Sequence, residues 1–323
     1  MKPYQRVRAV IEGKTPDRIP RFEVWIDALH DELGIADPAG AHPELGQDVL
    51  LMPSIKPPVS NAWGDGLDEF GRIWKNGSYV NGALKTFDDL KTYTPPLSYA
   101  AQFFSEKQAA EIKDRYPEHF LFFGTHIGPF MNTYMALGMQ SMFRLLRNDI
   151  SLVRAVIESR TEWCVAVFKR AVELGAELIV MGDDAAYSGG PMISPQMWRN
   201  LVLPYHQHIV QELPVPVIWH SDGRMDRLLP FAVEAGFTGM HGLEPPAGND
   251  LGRVKEQYGE QLILIGNVDV NLLCKNDPEA VREDIRRCLR QGGKSGYMLS
   301  SSNSIFPGMN PGAVCEYFRY SIC

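Results

Sequence analysis

The 323 residues are 45% hydrophobic and 22% charged, with a formal net charge of −7, so the chain can fill a large core and has the wrong sign for a polyanionic nucleic acid. No apolar run reaches the roughly 18–20 residues of a membrane span, and MKPYQRVRAV lacks the apolar centre of a signal peptide. Five scattered cysteines (Cys164, Cys274, Cys288, Cys315, Cys323) form no CxxC pair, and the last stands in no CaaX arrangement, which sets the expectation of a reducing, cytoplasmic setting without disulfides or lipid.

Residues 3–12 have the spacing of a short amphipathic helix closed by Gly13. RFEVW is a candidate first strand with Glu23 and Trp25 near its end, and a helix is predicted over 27–33. Residues 36–64 are rich in Pro and Gly around the apolar run DVLLMP. Asn76-Gly77 between alternating segments signals an antiparallel hairpin at about 68–85. The first hundred residues thus read as an N-terminal elaboration of a single domain spanning 1–323.

From residue 104 the rhythm becomes repeated βα units. A helix at 105–115 precedes HFLFFGTH, a strand ending at His126. Helices fill 131–147 and 150–174, and ELIVMGDD is a strand ending in Asp183-Asp184. Ser194-Pro195 caps a helix running to Glu212. VPVIWH is a buried strand that ends abruptly in His220-Ser221-Asp222-Gly223. A helix over 224–235 stops at Gly236, FTGMH is the next strand, and Glu244-Pro245-Pro246 leaves it. A helix at 250–258, the strand QLILIGNVD, a helix at 278–291 capped by Asp277, the strand YMLSSS and a closing helix from Pro311 complete the chain. No G-x-G-x-x-G follows the first strand and no P-loop is present. The alternation therefore predicts an α/β fold, a (β/α)8 TIM-type barrel with an N-terminal β-hairpin insertion.

The polar residues have a common position. Glu23, His126, Asp183, Asp184, His220, Asp222, His241, Glu244, Asn267 and Ser300–Ser302 all fall at or just after strand C-termini, the end where barrels bind ligands. Carboxylates and imidazoles gathered there need a cation, protons or a polar substrate to offset their desolvation. His220 and Asp222 are candidate ligands of a catalytic metal with Glu244 or Asp183 as the third. The structural alternative makes His220 a partner of a neighbouring strand and Asp222 a helix cap. Asp183-Asp184 reads either as a functional carboxylate pair or as one cap and one solvated acid. His206 and His208, on different faces of a helix, read as structural. Tyr187, in the loop after Asp184, is placed in the cavity. Ser301 has no G-x-S-x-G elbow around it, which argues against a serine hydrolase.

Taken together, YQRVRAVIEGKTPDRIP, DEFGRIW, DD-x(9)-SPQMW, VIWHSDG, GLEPP, GNVDV and SSSNSI…NPGAV resemble, in order and over nearly the whole chain, the uroporphyrinogen decarboxylase superfamily. The resemblance implies a distorted (β/α)8 barrel with its pocket at the strand C-termini. Decarboxylases of the family carry an arginine loop of RQAGR type after the first strand, where this chain has Arg21-Phe22-Glu23-Val24-Trp25, so uroporphyrinogen is not the expected substrate. The other branch contains corrinoid-dependent methyltransferases, whose thiol-methylating members bind zinc through H-x-C and a later Cys. Here His220 is followed by Asp222, and Ser300–Ser302 stand where that Cys is expected. The resemblance thus implies a methyltransferase, such as an O-demethylase, exchanging a methyl group between a small substrate (methyl ether, methylamine, or a thiol or folate-type acceptor) and a corrinoid. With no D-x-H-x-x-G motif, the cobalamin would be carried by a separate protein. His220, Asp222, Asp183 and Asp184 are the candidate catalytic groups. Glu23, Trp25, His126, Tyr187, Asn267 and Ser301 are candidates for binding substrate. His220, Asp222 and Glu244 are candidates for holding Zn(2+) without sulfur. A small-carboxylate decarboxylase (a lyase) and a non-catalytic ligand-binding barrel are the alternatives.

Overall fold

The computed structural model describes residues 1–54 and 65–320, so Cys323 and residues 55–64 of the Pro- and Gly-rich stretch lie outside it. Twelve strands are present among the described residues: β1 Val49–Leu51, β2 Gly66–Leu67, β3 Arg72–Lys75, β4 Ser78–Gly82, β5 Phe120–Thr125, β6 Ile179–Gly182, β7 Ala186–Tyr187, β8 Gly190–Pro191, β9 Val217–Ser221, β10 Gly239–Gly242, β11 Ile263–Ile265 and β12 Tyr297–Met298. Seven of them form a parallel sheet in the order β1-β5-β6-β9-β10-β11-β12. Its strands are apolar on both faces, as sheets covered on both sides require. The fold is α/β and TIM-like.

The two edges of the sheet meet on the segment Arg21–Ile26. Arg21 and Ile26 bridge in parallel to Leu299 and Ile305. Phe22 N donates to Leu299 O (2.8 Å), and Asp48 N, just before β1, donates to Arg21 O (2.9 Å). The buried Asp48 carboxylate fixes this corner, accepting from Arg6, from both Nη atoms of Arg18 and from the Arg21 amide. RFEVW thus stands where a strand was expected, although only isolated bridges form.

Side-chain parity builds the interior. Phe22, Val24, Val49, Phe120, Phe122, Leu178, Val180, Ile218, Ile263, Ile265 and Met298 form one apolar cluster, joined by Val7 and Val10 of the helix Pro3–Ile11. Intervening residues such as Leu121, Phe123, Val217, Trp219, Met240 and Leu264 belong to the larger cluster beneath the helices. Because successive side chains alternate, the inward positions that follow Ile218, Gly239 and Met298 are His220, His241 and Ser300. A polar layer therefore rests on an apolar plug.

Several local expectations are corrected. Residues 27–33 form turns, because Leu29 adopts φ 65°, which a right-handed helix does not allow. The apolar run DVLLMP holds β1. The hairpin is part of a three-stranded antiparallel sheet, β2-β3-β4, turning at Asn76-Gly77 with φ 50° and 72°. The helix after Ser194 breaks at Val202, since Pro204 cannot donate to the preceding turn. The helix expected from Arg224 starts at Leu229, because the amides of Gly223, Arg224 and Met225 donate to Glu244, Tyr187 and Asn249.

Glu23 lies on the outward parity, between Phe22 and Val24, and is fully buried. Its carboxyl accepts from Tyr317 OH (2.5 Å) and Ser301 N (3.0 Å) and lies 2.7 Å from Ser301 Oγ. The Ser301 hydroxyl has one proton and also lies 2.5 Å from Asn303 O. A protonated Glu23 donating to Ser301, which donates to Asn303, satisfies every group. Burial accordingly raises the Glu23 pKa to about 7, against the opposing hydrogen bonds from Tyr317 and Ser301. The native state then holds a proton that the unfolded state loses near pH 4.5, so stability falls as pH rises from about 4.5 to 7, by at most ~3 kcal/mol. Glu23→Gln reproduces the protonated pattern. Urea denaturation across this range should show the variant with a flatter pH dependence and greater stability than wild type at pH 8.

Candidate active site

Four loops following strands bring one acidic cluster together above the apolar plug. His220, inside β9, is fully buried. Among the described residues its Nε2 has no hydrogen-bond partner, and it stands 3.4 Å from Asp222 Oδ1 and 4.0 Å from Asp184 Oδ1. Ligand atoms of Asp184, His220 and Asp222 all lie within 4.8 Å of one another. Asp184 is oriented by the Asp222 amide (3.0 Å), and Asp222 by Asn303 Nδ2 (2.9 Å). Glu244, an expected metal ligand, is engaged by the Gly223 amide (2.7 Å), and Asp184 completes the trio instead.

The electrostatics follow from this crowding. Burial raises the pKa of Asp222, and the neighbouring Asp184 and Glu244 carboxylates add to it, up to about 8. Burial raises Asp184 as well, opposed by His126 and the Asp222 amide. Burial also pushes His220 well below its ordinary value, with His241 and His126 acting in the same sense. The site thus holds a neutral imidazole facing carboxylates that resist ionising together. A divalent cation would satisfy the bare His220 nitrogen and relieve both carboxylates. The residues present fit such an ion, with one nitrogen and two oxygen donors. None of the four described cysteines belongs to the cluster.

Other expected site residues are distributed unevenly. Trp25 lies over the imidazoles, with ring centroids 4.2 Å from His126 and 4.8 Å from His220. His126 fits there because residue 182 is glycine, where a Cβ would stand 2.6 Å from the imidazole. Asp183 points away from Asp184. It accepts from Met131 N (2.6 Å), Phe130 N (3.3 Å) and His206 Nε2 (2.7 Å), capping the helix Pro129–Leu137. Glu23 and Ser301 bond to each other behind the barrel wall. Asn267 is fully buried, donating to Leu243 O and accepting from Arg287. Tyr187 is 59% exposed. Sequence reasoning missed two neighbours. Asn303, which holds Asp222, was hidden in a serine-rich run. No residue beside Tyr134 in the sequence marks it as a site residue, but it is buried within the field of Asp184, Asp183 and Asp222.

These features define a TIM-like α/β protein with an acidic, imidazole-bearing site at the C-terminal ends of its parallel strands. A family model described as uroporphyrinogen decarboxylase (URO-D) matches residues 69–320, and the chain belongs to that family. It is 25% identical over 241 residues to a methylated-thiol–coenzyme M methyltransferase of Methanosarcina mazei, the match covering 74% of this chain but only 56% of that protein. It is 23% identical over 288 residues to the methylcobamide:CoM methyltransferase MtaA of Methanosarcina barkeri, covering 81% of each. A solved methyltransferase from Methanosarcina mazei superposes with a TM-score of 0.76 at 19% identity, over 99% of this chain and 98% of that one. Among the described residues, no helix is long and apolar enough to cross a membrane.

The adjacent aspartates should separate cleanly on mutation. Asp183→Ala strands three buried donors and is expected to cost about 3 kcal/mol in urea denaturation. Asp184→Ala relieves a crowded carboxylate and should change stability by less than about 1 kcal/mol.

Proposed function

We propose that the protein is a methyltransferase that moves a methyl group between a small oxygen- or nitrogen-linked methyl compound and a corrinoid carried by a separate protein. The observation that carries the reading is the Asp184–His220–Asp222 cluster in a chain distantly homologous to coenzyme M methyltransferases. On this reading Arg21–Ile26 is the eighth position of a (β/α)8 barrel, residues 1–323 are one domain, and the protein works in the cytoplasm.

Transfer from an ether or amine breaks a carbon–heteroatom bond whose electron pair leaves on the heteroatom. That atom must be stabilised as negative charge develops. The corrinoid, when presented, supplies the nucleophile that takes the methyl group. Asp184, His220 and Asp222 would hold a divalent cation such as the zinc that the resemblance to the thiol-methylating members implies, and it would supply Lewis-acid polarisation of the heteroatom. Without a cation, the raised pKa of Asp222 keeps a proton on its carboxyl, available to the same departing atom. Asn303 holds the Asp222 carboxylate at the cluster, and Asp184 keeps its proton affinity high. Trp25 and His126 form an aromatic wall that packs the substrate and limits water. Among the described residues no cysteine joins the cluster, which supports an oxygen or nitrogen leaving group rather than a thiol to be activated.

Decarboxylation is supported less well. A carboxylate substrate calls for a cation from the protein, yet the charges acting on Asp222 are the carboxylates of Asp184 and Glu244, and Asp183 and Glu244 act in the same sense on Asp184. Arg21 is buried beside Arg18 and Asp48.

The reading is tested with cob(I)alamin as the methyl acceptor and a panel of methyl ethers and methylamines. The expected result is conversion of the cob(I)alamin spectrum to that of methylcobalamin with wild type, slowed at least about 100-fold by His220→Ala. Carbon dioxide release from small carboxylates without any corrinoid dependence would instead favour the lyase.

A further inference from the structure

His241 takes no part in the chemistry above, yet it is fully buried beside His220. The two Nδ1 atoms are 2.7 Å apart. A hydrogen bond between ring nitrogens needs one N–H and one lone pair, so a single proton lies between them when both rings are neutral.

Two proton arrangements remain. In one, His241 donates from Nδ1, and His220 carries its proton on Nε2. That N–H would be buried without a hydrogen-bond partner, because Asp222 Oδ1 at 3.4 Å makes no bond to it. In the other, His220 donates from Nδ1 and leaves a lone pair on Nε2. His241 then carries its proton on Nε2, 3.3 Å from Ser300 Oγ. The second arrangement leaves no buried N–H unpaired, and a buried N–H without an acceptor is the costlier defect.

We propose that His241 is a positioning residue: it accepts the Nδ1 proton of His220, passes its own Nε2 proton toward Ser300, and so holds His220 in the tautomer whose bare Nε2 faces Asp184 and Asp222. This rests on reading the cluster as a cation site, and it gives the site the outer partner that fixes ring orientation and ligand basicity in metal-binding histidines.

Two measurements on the full chain test it. Nitrogen-15 NMR of histidine-labelled, zinc-free protein should show His220 protonated on Nδ1 and bare on Nε2. Zinc titration should show affinity reduced about 10–100-fold in His241→Phe and largely retained in His241→Asn, whose side-chain oxygen keeps an acceptor near the Nδ1 position. A proton on His220 Nε2 in wild type, or wild-type zinc affinity in His241→Phe, would overturn the proposal. If His241→Phe does not fold, the NMR tautomer and the Asn variant still decide it. Wild type that binds no zinc but shows the Nδ1–H tautomer would overturn the cation reading and leave the tautomer assignment standing.

Discussion

Backbone hydrogen bonds from Arg21–Ile26 to Leu299 and Ile305 on one side and to Asp48 on the other hold the two edges of the parallel sheet together. With that join, strands far apart in sequence present their C-terminal ends to one small volume. The apolar inner layer then leaves His220, His241 and Ser300 as the next inward positions, and Asp184 and Asp222 follow on the adjoining loops. The join depends in turn on buried charge. Asp48 gathers two arginines and the Arg21 amide, and removal of such a hub would take the carboxylate partner from Arg18 and the acceptor from the buried Arg21 amide. Glu23 clamps the other side to the closing helix through Tyr317 and the Ser301 segment.

The site is an arrangement of groups that cannot all keep their charge. Three carboxylates, of Asp184, Asp222 and Glu244, act on one another close to buried neutral imidazoles. A divalent ion or a retained proton would resolve this, and on the proposed function either one would also stabilise negative charge on a departing heteroatom. The neighbouring Asp183 shows how little separates a functional from a structural carboxylate. One residue away, parity and a nearby helix N-terminus turn it into a cap that accepts three hydrogen bonds.

Much of this was legible in the sequence, for identifiable reasons. Long apolar runs such as FLFFGT and VIWHS announce buried parallel strands, and Asn76-Gly77 fixes a turn that needs two positive φ angles. The cluster at His220 and Asp222 was legible because polar residues end an apolar run. The three-residue strand Val49–Leu51 was not, since so short a run among prolines has no periodicity to measure. Alternation in Phe22-Glu23-Val24 did carry a signal, because apolar neighbours on the inward parity place Glu23 on the outward side. Asp183 and Asp184 could not be told apart, because the partners of Asp183 at residues 130, 131 and 206 are brought to it only by the fold. The closeness of Asp184 to His220 and Asp222 was not legible for a similar reason, and neither was the hydrogen bond from the Gly223 amide to Glu244, since both depend on loop conformations that spacing does not reveal.

The central claim is a sulfur-free cation at Asp184, His220 and Asp222, with the proton on Asp222 as the cation-free alternative. X-ray absorption of the zinc-loaded, untagged protein measures that directly. The account predicts stoichiometric zinc with only nitrogen and oxygen neighbours, at about 2.0–2.2 Å, and loss of that signal in His220→Ala. A sulfur neighbour at about 2.3 Å, or no specifically bound zinc in the wild type, would contradict it.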